Sequence, residues 1–148
     1  MTPQRSQEEA RGVIADAPLL VVDDNAINLE LAQAILELAG YRVRTATDAA
    51  EALLVIAAER PRLILMDVQL PGMDGLTLTR QLKADPKTRD IVVVALTAYA
   101  MKGDAEKALD AGCDGYVSKP VDVHTLTKIV AGFLGGEAGT RPAPATHA

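Results

Sequence analysis

Five residues with reactive side chains, Asp23, Asp24, Asp67, Thr97 and Lys119, stand within two positions of the ends of short apolar runs. Leu19–Val22 leads into Asp23 and Asp24, and Leu63–Met66 leads into Asp67. Ile91–Leu96 leads into Thr97, and Gly115–Val117 leads into Ser118, Lys119 and Pro120. If those runs are strands of an open α/β sheet, all of these groups fall at its carboxyl rim, where such sheets bind ligands. Three bare carboxylates gathered there would repel one another. A hard divalent cation with oxygen preference relieves that repulsion. Mg²⁺ suits a site with a few carboxylates, several waters and a phosphate to complete the octahedron. Lys119 adds a compact cation able to pair with the acids or with a phosphoryl group.

The elements needed to position these groups are legible around them. The continuous Val-, Ile- and Leu-rich runs read as strands buried on both faces of a parallel sheet, and Val43–Ala46 as a weaker one. Between them lie helical patterns with stop and start signals. Asn25–Ala39 ends at Gly40, Ala49–Glu59 follows Thr47 and Asp48, and Gly75–Ala84 follows Asp74. Asp104–Ala111 ends at Gly112, and Val123–Leu134 follows Asp122. Acidic and hydroxyl residues suit N-caps and glycine suits helix ends. Five successive βα units predict a doubly wound α/β domain with helices on both faces of the sheet. It spans residues 18–134, with a polar N-terminal arm over 1–17 and a Gly-, Pro- and Ala-rich tail over 135–148 expected to be flexible.

Composition narrows the function classes. The chain has 148 residues, 49% hydrophobic and 24% charged, which suits one globular domain. It contains no apolar run long enough to span a membrane. Its first residues lack the apolar core of a secretory signal, so a soluble cytoplasmic protein is expected. A net charge of −5, no Trp and 3% aromatic residues argue against nucleic-acid binding. The single cysteine, Cys113, excludes a disulfide framework or a Cys-cluster zinc site, and is expected to be a small buried residue.

The ordered set Asp23-Asp24, Met66-Asp67, Leu70-Pro71-Gly72-Met73-Asp74-Gly75, Thr97-Ala98 and Lys119-Pro120 resembles the receiver domain of bacterial two-component response regulators, the CheY-like family. The resemblance covers about residues 18–134. Any one of these motifs alone is weak; all five in order, each after an expected strand, are specific. The stretches Thr97–Gly103 and Gly112–Pro120 look most like small single-domain regulators. The resemblance implies a flavodoxin-like, five-stranded parallel sheet of order 2-1-3-4-5 with five helices. It implies that Asp67 accepts a phosphoryl group from a phosphohistidine. Asp23, Asp24, Asp67 and the backbone carbonyl of Gln69 are implied to hold Mg²⁺. Thr97 is implied to hydrogen-bond the phosphoryl group, and Lys119 to pair with Asp67 and then with the phosphate. Lys119-Pro120 is implied to be a cis bond, and Tyr116 to be the aromatic switch that turns as Thr97 moves. Gln69 and Tyr99, each two residues past a site residue, would tune the lifetime, and bulky Tyr99 implies slow self-hydrolysis.

Partners are expected to be proteins. In Asn25–Ala39 one stripe, Ala32, Ile35, Leu36 and Ala39, is assigned to the sheet. A second, Ile27, Leu31, Ala34 and Leu38, is left at least partly exposed. Ile27, Asn28 and Leu31, with Pro120, form the expected docking surface for a histidine kinase or a histidine phosphotransfer protein. The alternative is that the N-terminal arm or a second copy in a homodimer covers this helix. The stretch after Leu134 is too short for a DNA-binding domain, so output is expected through protein contacts or onward phosphotransfer. Other classes fit less well. A phosphohydrolase of the haloacid dehalogenase type wants a second acid where Gln69 stands. A phosphorylation-silent binding module would not need all five site residues. A flavodoxin-like cofactor protein would need a phosphate-binding loop where two acids lie. Taken singly, most of these residues have plainer readings: Asp23-Asp24 as a helix N-cap pair, Lys119 as a solvated lysine, Tyr116 as a half-buried strand residue.

Overall fold

The computed structural model describes residues 17–97, 102–119 and 122–134. The strands are β1 (Leu19–Val22), β2 (Val43–Ala46), β3 (Leu63–Asp67), β4 (Val92–Thr97) and β5 (Gly115–Ser118). The helices are α1 (Ala26–Leu38), α2 (Ala49–Ala58), α3 (Gly75–Ala84), α4 (Lys102–Ala111) and α5 (Val123–Phe133). All strand pairs are parallel, in the order β2-β1-β3-β4-β5. This is the flavodoxin-like, doubly wound sheet that the sequence leads one to expect. The helix expected from Asp104 starts two residues earlier, at Lys102.

Local chemistry sets the helix starts. Asn25, Asp48, Asp74 and Asp122 have extended backbones, and each side chain accepts a hydrogen bond from the backbone N–H three residues on. Each satisfies one of the orphan donors of a first turn. Glu51 reaches back to the N–H and hydroxyl of Thr47, so α2 carries a reciprocal cap displaced by one residue. Gly40 and Gly112 have φ of 100° and 107°, the left-handed region that lets the chain leave α1 and α4.

Alternation along the strands divides the core in two. Leu19, Val21, Leu63, Leu65, Val94, Leu96 and Val117 point toward α1 and α5. Leu20, Val22, Ile64, Met66, Val93 and Ala95 point toward α2, α3 and α4. On α1 the buried residues are Leu29, Ala32, Ile35 and Leu36. Leu29 therefore joins the core stripe. Ala39, assigned to that stripe from the sequence, is instead the exposed C-cap, because the helix ends before it can face the sheet. The far end of the sheet is held by Lys83. Its ammonium donates to the carbonyls of Arg89 and Ile91 and pairs with Asp114 at 3.0 Å, while Asp114 also accepts from the N–H of Val93.

Candidate functional site

β1 and β3 are adjacent and in register, with Val22 beside Met66, so the residues after them leave the sheet side by side. Asp23 and Asp67 lie in the core, only 1% and 3% exposed, while Asp24 faces solvent. The two buried carboxylates are held alike. Asp23 Oδ1 accepts from the N–H of Asn25 at 2.9 Å, and Asp67 Oδ1 accepts from the N–H of Gln69 at 3.0 Å. Their Oδ2 atoms face the Lys119 ammonium, at 3.1 Å from Asp23 and 3.0 Å from Asp67. Lys119 is brought there by β5, and its N–H donates to the Thr97 carbonyl at 2.8 Å.

The carboxylates of Asp23, Asp24 and Asp67 each offer a ligand oxygen, and these atoms lie within 4.8 Å of one another. One ammonium against three carboxylates leaves two negative charges uncompensated at the rim. Asp23 Oδ2 is buried and, among the described residues, has no hydrogen bond of good geometry beyond its ion pair with Lys119. An all-oxygen donor set, excess negative charge and an under-satisfied buried oxygen fit a hard divalent cation.

Burial holds the Asp67 carboxyl above its ordinary range, with the Asp23 charge adding to the effect; the Gln69 N–H and Lys119 only partly oppose it. Burial alone would lower Lys119, but its pairing with Asp67 and Asp23 outweighs burial and raises it. The lysine therefore stays charged across neutral pH. Its pairing supports the fold below the alkaline range and is lost as pH rises through its folded-state value.

The cleft over these groups has a volume of about 600 Å³. Asp23, Asp24, Asn28, Asp67, Gln69 and Lys119 line it, together with Asn25, Pro71 and Asp74. Ile27 and Leu31 lie on the open face of α1, at 74% and 42% exposure, and Ile27 directly precedes cleft-lining Asn28. Thr97 is buried at the end of β4 and does not line the cleft. Tyr116 is half-buried against the α2–α4 side of the core. Cys113 is buried, and burial pushes its thiol up to about 11. Tyr99, Pro120 and the bond before it lie outside the described residues, as do most of the arm and all of the tail.

Two structural roles emerge that residue types alone do not assign. Asn25, not the acid pair, caps α1, which leaves Asp23 and Asp24 to face the cleft. The signal was present, since Asn is as good a cap as Asp. Gly75 opens α3 against β3, and a Cβ there would collide with the carbonyl oxygen of Asp67 and sit 2.9 Å from Met66 Cγ. Gly75→Ala should push α3 away from the end of β3 and cost about 1–3 kcal/mol, the usual range for overpacking. Denaturant unfolding checks this, and an unchanged midpoint contradicts it.

The response regulator receiver domain family matches residues 19–131. The polar-differentiation response regulator DivK of Brucella anthropi is 41% identical over 117 residues, covering 79% of this chain and 95% of that protein. The receiver domain of the sensor histidine kinase PA1611 from Pseudomonas aeruginosa PAO1 superimposes with a TM-score of 0.74 at 36% identity, over 82% of this chain and 99% of that one. That structure has a magnesium ion coordinated in its active-site cleft. The chemotaxis response regulator CheY4 of Vibrio cholerae gives a TM-score of 0.73 at 28% identity, over 77% and 95% of the two chains.

Proposed function

Since the chain belongs to the response regulator receiver domain family, a phosphoacceptor switch of two-component signal transduction, we propose that Asp67 is its phosphoacceptor and that Asp23, Asp24 and Asp67 hold Mg²⁺. The observation that carries this reading is the pairing of two buried carboxylates with one lysine beneath an open cleft. A carboxylate oxygen of Asp67 attacks the phosphorus of a phosphohistidine. The O–P bond forms as the P–N bond breaks, and the imidazole nitrogen keeps that electron pair. What Mg²⁺ supplies, when bound, is compensation for the charge on the phosphoryl oxygens.

Lys119 starts 3.0 Å from the Asp67 carboxylate and can follow the new charge onto the phosphoryl group. The backbone carbonyl of Gln69 completes the proposed metal ligands. The hydroxyl of Thr97 and the ring of Tyr116 are the proposed switch, since the backbone of Thr97 already holds that of Lys119. The added charge would bias the surface of α4, β5 and α5 toward protein partners. Gln69 and Tyr99 are the proposed lifetime residues. A cytoplasmic location belongs to the same proposal. Among the described residues, no helix is long and apolar enough to cross a membrane.

Incubation with acetyl phosphate and Mg²⁺ should add the mass of one phosphoryl group per chain, lost only slowly once the donor is removed. A chain that never gains mass is a silent binding module, and the proposal fails.

The docking proposal rests on α1, where exposed Ile27 directly precedes cleft-lining Asn28 and exposed Leu31 follows it by three residues. Helices of a histidine kinase or histidine phosphotransfer protein would bury this apolar strip. Leu31→Arg should slow phosphotransfer from such a protein by about tenfold or more, as loss of a contact worth at least ~1.4 kcal/mol does. Phosphorylation by acetyl phosphate should be unchanged. Equal rates from the protein donor contradict docking at this face. A homodimer through the same face would appear as concentration-dependent association that Leu31→Arg abolishes.

A further inference from the structure

At the opposite end of the sheet from the acidic cleft, a groove of about 390 Å³ opens between α2 and α3. Leu53, Ala57 and Leu82 give it an apolar lining, and Arg60, Lys87 and Asp85 give it charge. Leu53 and its neighbour Leu54 are 40% and 72% exposed, so α2 presents apolar surface beside the groove. Arg60 is fixed at the rim by a hydrogen bond from its Nε to the Lys87 carbonyl.

The first described residues are pinned at this same end. The N–H of Arg62 donates to the Pro18 carbonyl and its Nε to the Ala17 carbonyl. Arg62 is two residues from groove-lining Arg60, a span of at most about 7 Å. The segment before Ala17 reads Gln7-Glu8-Glu9-Ala10-Arg11-Gly12-Val13-Ile14-Ala15-Asp16. Its branched apolar pair, Val13-Ile14, ends three residues short of Ala17, within about 10–13 Å of extended chain. Glu8 and Glu9 match the net positive rim made by Arg60 and Lys87 against Asp85.

We propose that the α2–α3 groove is a docking site for the chain's own N-terminal segment, with Val13 and Ile14 on the apolar lining and Glu8 and Glu9 toward Arg60 and Lys87. Tethering favours this occupant over a free partner, because a ligand joined by a few residues acts at a high local concentration. Acidic side chains near a basic rim add orientation more than affinity. This interaction is separate from the phosphoacceptor chemistry, so the two stand or fall independently.

The test is disulfide trapping in the full chain. Cys113 does not interfere, since it is buried and its thiol is held at about 11. Ile14→Cys is paired with Ala57→Cys in the groove or, as control, with Ala34→Cys on α1. Both partner positions are exposed. With oxidised glutathione, the groove pair should close an intramolecular disulfide about tenfold or more faster than the control. Lys87→Glu in the groove pair should slow closure severalfold. Equal rates for the two pairs overturn the proposal, and so does a disulfide that forms mainly between chains, since the occupant is then a second copy.

Discussion

Asp67→Asn is expected to abolish phosphorylation by acetyl phosphate while leaving a folded protein with a higher unfolding temperature than wild type. The first half follows from chemistry, because an amide has no anionic oxygen with which to form an acyl phosphate. The second follows from the site's electrostatics. Asp67 is buried beside Asp23, and its carboxyl is held above the ordinary range. A group whose folded-state pKa is raised binds more protons folded than unfolded. Stability therefore falls as pH rises from the unfolded to the folded value. The charged carboxylate is a cost above that window and none below it. The advantage of Asn over wild type should thus be present at neutral pH and fade as acid protonates Asp67. Lys119 keeps Asp23 as a partner in the variant. Intact mass checks the first expectation and thermal unfolding at two pH values the second. A variant that still gains a phosphoryl group would move the phosphoacceptor elsewhere. A variant less stable than wild type at neutral pH would mean that the pairing with Lys119 outweighs the burial cost.

Removing divalent cations should stop phosphorylation of the wild-type protein almost completely, by at least about a hundredfold, since ~2.7 kcal/mol of lost charge stabilisation suffices. Returning Mg²⁺ should restore it. The reason is the arithmetic of the rim, where three carboxylates face one lysine and an incoming dianion would meet more negative charge. The same binding should raise the unfolding temperature, because a ligand of the folded state alone stabilises it by mass action. Asp24→Asn makes the finer test. Asp24 is exposed and outside the buried Lys119 pairs, so replacing it should leave the fold intact. It should raise the Mg²⁺ concentration for half-maximal stabilisation by about tenfold, the worth of ~1.4 kcal/mol. Phosphorylation that proceeds at full speed in excess chelator would exclude the cation site proposed here.

Much of the molecule was readable before folding. β1, β3 and β4 are continuous apolar runs because their residues bury on both faces. β2, at the sheet edge with half-buried Val43, Arg44 and Thr45, gave a weaker signal for the same reason. α1 shows where the reading stopped. The stripe read toward the sheet went inside at Ala32, Ile35 and Leu36 and left Ile27 and Leu38 out, but only packing on the sheet drew Leu29 in and left Ala39 outside as the C-cap. The Lys83 clamp was not legible either, since its partners are two backbone carbonyls and an acid 31 residues away.

The amino-acid sequence alone determined which chemical groups stand at the strand ends, and in what order. A parallel sheet of buried strands presents to solvent the residues just past its strand ends, so the order of βα units is already an order of side chains at one rim. Tertiary structure decided what each group experiences there. Asp23 and Asp24 are adjacent and chemically identical, yet one is buried against Lys119 and the other faces water. That difference exists only because the register of β1 on β3 sets Asp23 beside Asp67, and because Asn25 caps α1 in place of either acid.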